Sequence, residues 1–99
     1  MSNYIGKKVI VRADRAGVFY GELVEQKEKS VVMKNVRKLW YWDGAAAVEE
    51  LAVSGTIEPD ECKFTVSVAE MEINQWIQIL PCTKKSQKSI EGVKIWKRG

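Results

Sequence analysis

Short apolar stretches rich in β-branched residues recur along the first part of the chain, at residues 7–13, 17–24, 30–36 and 37–42. The first two flank Asp14, Arg15 and Ala16, which favour a turn, so these stretches predict a β-hairpin. In the third stretch, alternation places Val31 and Met33 on one face of a strand. Four short and closely spaced strands predict a curled antiparallel sheet or a small barrel.

The pattern becomes helical after Asp43. Apolar residues at positions 45, 48, 51 and 52 recur with helical spacing and predict a helix over residues 44–54. Asp43 is the expected N-cap, because its carboxylate can accept hydrogen bonds from the free amides of the first turn. Gly55 is the expected end, because glycine readily adopts the conformation that terminates a helix.

Beyond the helix the chain returns to strand patterns. Residues 63–68 alternate strictly and are the clearest strand signal, with Phe64, Val66 and Val68 on one face. Three further elements are expected: a strand at residues 73–80, a short helix at 83–91 capped by Thr83, and a last strand at 93–96. The sequence therefore predicts a β-rich α+β fold with one or two short helices, in one compact domain over residues 1–99.

Composition narrows the possible functions. The chain has 99 residues and no His, which excludes imidazole-based triads and the commonest zinc sites. Cys62 and Cys82 lie too far apart for a CxxC motif, so free thiols are expected, with a disulfide between them as the alternative. We therefore expect a protein that is not an enzyme and that has no metal or cofactor; chemistry carried by Lys, Tyr or carboxylates is the remaining enzymatic alternative.

The location expected from the sequence is the cytoplasm. The first residues lack the apolar segment of a signal peptide, and no run approaches the roughly 20 apolar residues of a membrane span.

Charge is segregated along the chain. Residues 43–61 contain six acidic side chains and no basic one, whereas residues 83–99 contain six basic side chains and one acidic one. The simplest interpretation is a solvated acidic helix and a solvated basic tail. The alternative is association between copies of the chain, because blocks of opposite sign attract each other. The net charge of +3 is a weak indication of binding to long nucleic acid.

Residues 37–42 combine aromatic rings with cations. If this segment is extended, Lys38, Trp40 and Trp42 share one face and Arg37 and Tyr41 the other. An aromatic ring can stack on a base while a nearby cation binds phosphate, so the segment suits a nucleotide; the alternative is that the rings are core. The candidate ligand-binding residues are Arg37, Lys38, Trp40, Tyr41, Trp42, Lys84, Lys85 and Lys88.

Four segments also resemble a known family: AGVFYGEL at 16–23, RKLWYWDGAAAVEELAVSG at 37–55, CKFTV at 62–66 and QKSIEGVKIW at 87–96. LWYWDGAA and QKSIEG are the most specific parts, because general propensity explains neither. Together the segments resemble small tailed-phage proteins of unknown function, over nearly the whole chain. The resemblance implies a phage origin, a single compact domain and an early, nonstructural gene; it implies no functional residues, since the family has none established.

The function expected from these observations is non-enzymatic binding of a small anionic ligand. Its most specific form is a phage counter-defence sponge that sequesters a cyclic-nucleotide immune signal in the host cytoplasm, by analogy with other small phage proteins. A homo-oligomer is expected, because so small a domain needs a second copy to enclose a ligand. The alternatives are a protein-interaction module that acts on a host protein and a nucleic-acid-binding accessory protein.

Overall fold

The computed structural model describes residues 4–98. It contains six strands and two α-helices in the order β1 (Lys8–Ala13), β2 (Gly17–Gln26), β3 (Ser30–Tyr41), α1 (Val48–Ser54), β4 (Lys63–Phe64), β5 (Val68–Asn74), β6 (Trp76–Pro81) and α2 (Lys84–Glu91), with a 3₁₀ turn at Pro59–Glu61 before β4. The β-rich α+β class predicted from the sequence is confirmed.

The strands form one curled antiparallel sheet that does not close. β6, β1, β2 and β3 are hydrogen-bonded in that order, and the outer edge of β3 pairs with β5 along one part and β4 along another. β5 and β6 therefore lie at opposite edges, yet Gln75 alone separates them in the chain. Gln75 adopts a φ of 61°, its amide donates to Lys29 O, and its carbonyl accepts from Asp14 N. These bonds join Gln75 to the β1–β2 and β2–β3 turns. Because a single residue connects β5 to β6, the two edges of the sheet lie near each other and the sheet is curled.

Apolar side chains pack on both faces of the sheet. The inner face contains Val9, Val11, Phe19, Leu23, Val31, Met33, Val36 and Ile73. The outer face carries Ile10, Tyr20 and Leu39, which α1, α2 and Phe64 cover. Val31 and Met33 share the inner face, as their alternation predicted.

A bulge in β3 determines which side chains reach each face. The register with β2 shifts between the pairs Glu22–Lys34 and Tyr20–Arg37, and Asn35 lies at the shift with a φ of 53°. Because one extra residue inverts the alternation, Val36 faces inward like Met33 and Arg37 turns toward the helices. Gly21 permits this close crossing, since a Cβ there would lie 2.9 Å from Lys34 O.

Several predicted elements differ from the observed ones. The two strands predicted at 30–36 and 37–42 are one strand, because β2 pairs along both. The first helix begins at Val48 and not at 44; Ala47 is its N-cap, and the Asp43 carboxylate accepts from the neighbouring Gly44 amide instead. Gly55 ends this helix with a φ of 75°, as expected.

The strand predicted at 63–68 is the largest error. Lys63 and Phe64 pair with β3 as β4, whereas Val68 already belongs to β5, which pairs with another part of β3. Phe64 is fully buried, but Val66 and Val68 are 44% and 39% exposed. Alternation indicated a buried face, but no element covers the later positions.

Near the C-terminus, α2 and its Thr83 cap are confirmed, with Thr83 Oγ1 accepting from Ser86 N at 3.1 Å. The strand predicted at 93–96 is reduced to one parallel bridge between Phe64 and Ile95. The strand predicted at 73–80 is split by Gln75 between β5 and β6.

Candidate functional site

Three exposed aromatic rings lie around the side chain of Lys63, where the end of β3 pairs with β4. Trp40 and Trp96 stack with ring centroids 5.0 Å apart and an interplanar angle of 21°. Lys63 Nζ lies 5.4 Å from the Trp40 centroid, 5.5 Å from that of Trp96 and 5.9 Å from that of Tyr41. Trp40, Tyr41 and Trp96 are 54%, 48% and 43% exposed. We call these four residues the aromatic platform.

Long-range backbone pairing assembles the aromatic platform. Tyr41 is paired with Lys63 across β3 and β4, which brings the ammonium to the rings. The segment after α2 then follows β4, and Trp96 N donates to Phe64 O at 2.8 Å. Trp96 is thereby placed on the exposed Trp40, and the pair is held by the backbone as well as by stacking.

Arg37 fixes the segment that carries Trp96. Its side chain is 7% exposed, and Nε donates to Thr65 O, Nη1 to Ile90 O, and Nη2 to both Phe64 O and Lys94 O. Desolvation lowers the pKa of Arg37. The cation satisfies carbonyls of β4, the last turn of α2 and the C-terminal segment, so it joins three parts of the chain.

A buried tyrosine and an ion pair lie beside Arg37. Lys8 Nζ is 2.7 Å from Glu91 Oε2, the single ion pair found within residues 4–98, and Tyr20 Oη donates to the same oxygen at 2.5 Å. The hydrogen bonds from Lys8 and Tyr20 lower the pKa of Glu91, whereas burial and the hydrogen bond to Glu91 raise that of Tyr20. Lys8, Glu91 and Arg37 line a cavity of about 290 Å³ that extends to Ile95, next to the aromatic platform.

Lys8 also borders a second cavity, of about 530 Å³, between the start of β1, the end of β6 and the first turn of α2. Lys7 and Lys84 are on its walls, together with Cys82 and Gln87. Burial raises the pKa of the Cys82 thiol to about 11. The thiol is therefore neutral at physiological pH and adds no charge to the lysines.

The model of one protein family, described as a domain of unknown function (DUF6948), matches residues 6–90 of the chain. The chain belongs to this family. No match was found among curated proteins or among solved structures. In this DUF6948 chain the matched region includes Trp40, Tyr41 and Lys63 of the aromatic platform, whereas Trp96 lies beyond it.

The DUF6948 structure separates the aromatic residues predicted as a site. Trp40 and Tyr41 belong to the aromatic platform. Trp42 was expected on the face of Trp40, but β3 ends at Tyr41, and Trp42 turns to the helix side, where it packs against the core and lines a cavity with Arg12 and Glu49.

The predicted basic residues are similarly dispersed. Arg37 is engaged with backbone carbonyls, and Lys38 Nζ lies 5.9 Å from the centroid of the Phe19 ring. On α2, Lys84 lines the 530 Å³ cavity, and Lys85 and Lys88 are exposed without lining any cavity described above. One copy of the chain therefore does not bring all the predicted residues to a single site.

Sequence reasoning missed Lys63 and Trp96. Both were assigned to strands, and neither has a local signal for its position, because each is brought to Trp40 by pairing between distant segments. The only indication in the sequence was that residue 96 is a tryptophan, which could join an aromatic site.

Other kinds of site are not found in the described part of the chain. No group of three or more Cys, Asp or Glu side chains within residues 4–98 is arranged to hold a metal ion. Cys62 and Cys82 are free thiols. The two helices in this region have seven and eight residues, too few to cross a bilayer.

Proposed function

We propose that this DUF6948 protein is a non-enzymatic binder of a nucleotide-like anion at the aromatic platform. The observation that supports the proposal is the group of three exposed rings around Lys63 Nζ. A ring that only fills a core would be covered, and large exposed aromatic patches mark binding surfaces. Stacking on an indole is tolerant of base identity, and the lysine supplies a phosphate contact beside it.

The positive charge near the platform also favours an anion. Lys94, Lys97 and Arg98 flank Trp96 in sequence and are exposed. No ion pair within residues 4–98 involves them or Lys63. These cations increase the local concentration of anions, while the rings of the aromatic platform provide the surface that contacts the ligand.

The specific form we propose is a phage counter-defence sponge that sequesters a cyclic-nucleotide signal in the host cytoplasm. The platform is an open surface, whereas small-ligand sites enclose most of the ligand surface. A homo-oligomer that faces two platforms toward each other would supply the enclosure, because a two-fold axis duplicates the same patch.

The openness of the platform favours a second candidate, single-stranded nucleic acid. Successive bases of a strand stack on exposed rings without being enclosed, and a basic groove or tail follows the backbone. The two candidates differ in salt dependence, since binding that releases counterions from several phosphates weakens steeply as salt rises.

Tryptophan fluorescence titration tests both candidates. The protein is titrated with 3′,5′-cyclic AMP, cyclic di-GMP and a dT decamer at two salt concentrations. Trp40→Ala is expected to weaken binding by about 5- to 150-fold, which corresponds to the 1–3 kcal/mol per stacked base. Ile57→Ala removes an exposed apolar side chain elsewhere and is expected to have no effect.

Lys63→Gln separates the charge contribution, with Lys29→Gln as a control of equal charge change at an exposed hairpin tip. Saturable binding of a cyclic nucleotide that Trp40→Ala and Lys63→Gln both weaken supports the sponge. Salt-dependent binding of the decamer alone supports the second candidate. The proposal is wrong if no probe saturates, or if Trp40→Ala binds as the unsubstituted protein does.

A further inference from the structure

The cavity between the start of β1 and α2 has an unusual charge. Lys7, Lys8 and Lys84 line its volume of about 530 Å³, and no acidic side chain is on its walls. Its volume is within the range typical of small-ligand sites, about 300–1,000 Å³. Ammonium groups around one concave space repel one another, and an anion in that space would relieve the repulsion between those that have no counter-ion of their own.

Two of the three lysines lack a counter-ion. Lys8 is paired with Glu91 at 2.7 Å, but neither Lys7 nor Lys84 forms an ion pair within residues 4–98. Cys82 does not provide one either, since its thiol stays protonated at neutral pH. The space therefore contains uncompensated positive charge that the fold itself does not neutralise.

The neighbouring helix adds to this imbalance. The first turn of α2 contains Lys84 and Lys85 and no acidic residue. Acidic side chains are the stabilising choice at this position, because the amide end of a helix carries partial positive charge. A locally unfavourable arrangement of this kind is typical of functional sites, where the ligand supplies the missing charge.

We infer that this cavity is a binding site for a phosphate-bearing anion, separate from the aromatic platform. Lysine ammonium groups bind phosphate oxygens as point charges, with no need for a fixed planar geometry. The inference does not depend on the proposed function, because none of the residues of the aromatic platform lines this cavity. The phosphate comes from a free phosphate compound or from a nucleotide.

Chemical-shift mapping with inorganic pyrophosphate tests the site. We expect saturable shifts of the backbone amides of Gly6, Lys7, Lys84 and Gln87, with the platform indoles unchanged. Lys84→Glu is expected to raise the dissociation constant at least about ten-fold, because it replaces an attractive charge with a repulsive one. A parallel titration with ADP distinguishes the sources: tighter binding of ADP with shifts of additional residues indicates a nucleotide, and equal binding indicates a free phosphate compound.

The matched control is Lys85→Glu. It makes the same change of charge in the same helical turn, but its side chain does not line the cavity. Equal weakening by Lys84→Glu and Lys85→Glu would overturn the inference, because it would reduce the effect to general electrostatics. Shifts that do not saturate, or that spread over all exposed lysines, would also overturn it. Lys7→Glu provides a second test in case Lys84→Glu does not fold.

Failure here is distinguishable from failure of the proposed function. Binding at the aromatic platform is read from the indole signals of Trp40 and Trp96 and is weakened by Trp40→Ala. Binding in the cavity of about 530 Å³ is read from amides at residues 6–8 and 82–87 and is weakened by Lys84→Glu. A protein that shows either pattern alone retains one site and lacks the other.

Discussion

Replacing Arg37 with methionine tests the main structural claim, that one guanidinium holds the C-terminal segment against the sheet. Methionine keeps an unbranched apolar stem and removes every donor. Four carbonyls lose the hydrogen bond from the guanidinium, and the bonds to Ile90 O and Phe64 O are the more critical, because Arg37 is 7% exposed and the acceptor atoms lie in the interior.

The expected magnitude follows from those bonds. Phe64 O and Ile90 O each keep one backbone donor, Trp96 N and Val93 N, so neither is left unpaired. What is lost at each is a hydrogen bond from a charged group, which contributes about 1.5–3 kcal/mol, so the two buried bonds together give about 3–6 kcal/mol. Thr65 O and Lys94 O are only partly buried, and water from the adjacent cavity can reach them. Removing a desolvated cation recovers part of the loss, so we expect the free energy of unfolding to fall by about 2–4 kcal/mol.

Urea denaturation and thermal melting measure this change. For a domain of this size, a loss of 2–4 kcal/mol lowers the Tm by on the order of 10–25 °C. The control is Arg12→Met, which removes a single part-buried hydrogen bond to Gln78 Oε1 and is expected to lose about 1 kcal/mol. Arg37→Lys is expected to resemble Arg37→Met, because one ammonium cannot reach carbonyls that diverge around a planar group.

A second measurement separates this mechanism from general destabilisation. Stacked Trp40 and Trp96 should give an exciton couplet in the far-ultraviolet circular dichroism spectrum. Arg37→Met should weaken the couplet while the protein is still folded, because the segment that carries Trp96 loses its hydrogen bond from Arg37 at Lys94 O. A loss of stability no larger than that of Arg12→Met, or an unchanged couplet, would refute the reasoning.

Two further substitutions test local parts of the structure. Gly55→Ala should lower the free energy of unfolding by about 2–4 kcal/mol, because the new Cβ would collide with Ser89 Cβ and would also be strained by the positive φ of this position. Gly6→Ala has the strain without the collision and should cost about 1–2 kcal/mol by the same denaturation assay, so equal losses would contradict the steric argument. Tyr20→Phe should cost about 1–2 kcal/mol at neutral pH, through its lost hydrogen bond to Glu91. Above pH 10 the unfolded chain releases the Tyr20 proton, whereas the folded chain keeps it. The free energy of unfolding of the unsubstituted protein should therefore fall more steeply with pH than that of Tyr20→Phe, by about 1.4 kcal/mol per pH unit. Parallel pH profiles of the two proteins would contradict this.

The elements that the sequence predicted well are those with local signals. α2 has a capping threonine, and the first hairpin has a turn between two β-branched stretches, so short-range preferences decide both. The alternation at residues 63–68 predicted a buried face that the structure lacks, because the burial of a side chain depends on which other elements cover it. Phe64 is covered by Arg37 and the C-terminal segment, while Val66 lies beyond β4 and is exposed.

Only two of the four residues of the aromatic platform could be predicted, because sequence patterns report local structure and not pairing between distant segments. Trp40 and Tyr41 are adjacent in the chain, and their exposure agrees with a binding role. Lys63 and Trp96 join them through pairings across more than 20 residues, which no local pattern encodes. Arg37 shows the converse: its charge suggested a ligand contact, but carbonyls of three distant segments occupy its donors.

These contacts connect the stability of the fold to the aromatic platform. Arg37 lies inside the family-matched region and holds Lys94 O, beyond that region, while Phe64 O accepts from Trp96 N. The stacked half of the platform is therefore positioned by a residue that need not touch a ligand. A substitution at Arg37 should weaken binding by releasing Trp96, whereas Trp40→Ala should weaken it with little loss of stability, since an exposed ring contributes little to the core. Stability and ligand binding should therefore be measured on both variants. Weakened binding in both would indicate that the C-terminal segment is positioned for a ligand, whereas a loss of stability without any effect on binding would indicate that the segment only stabilises the fold.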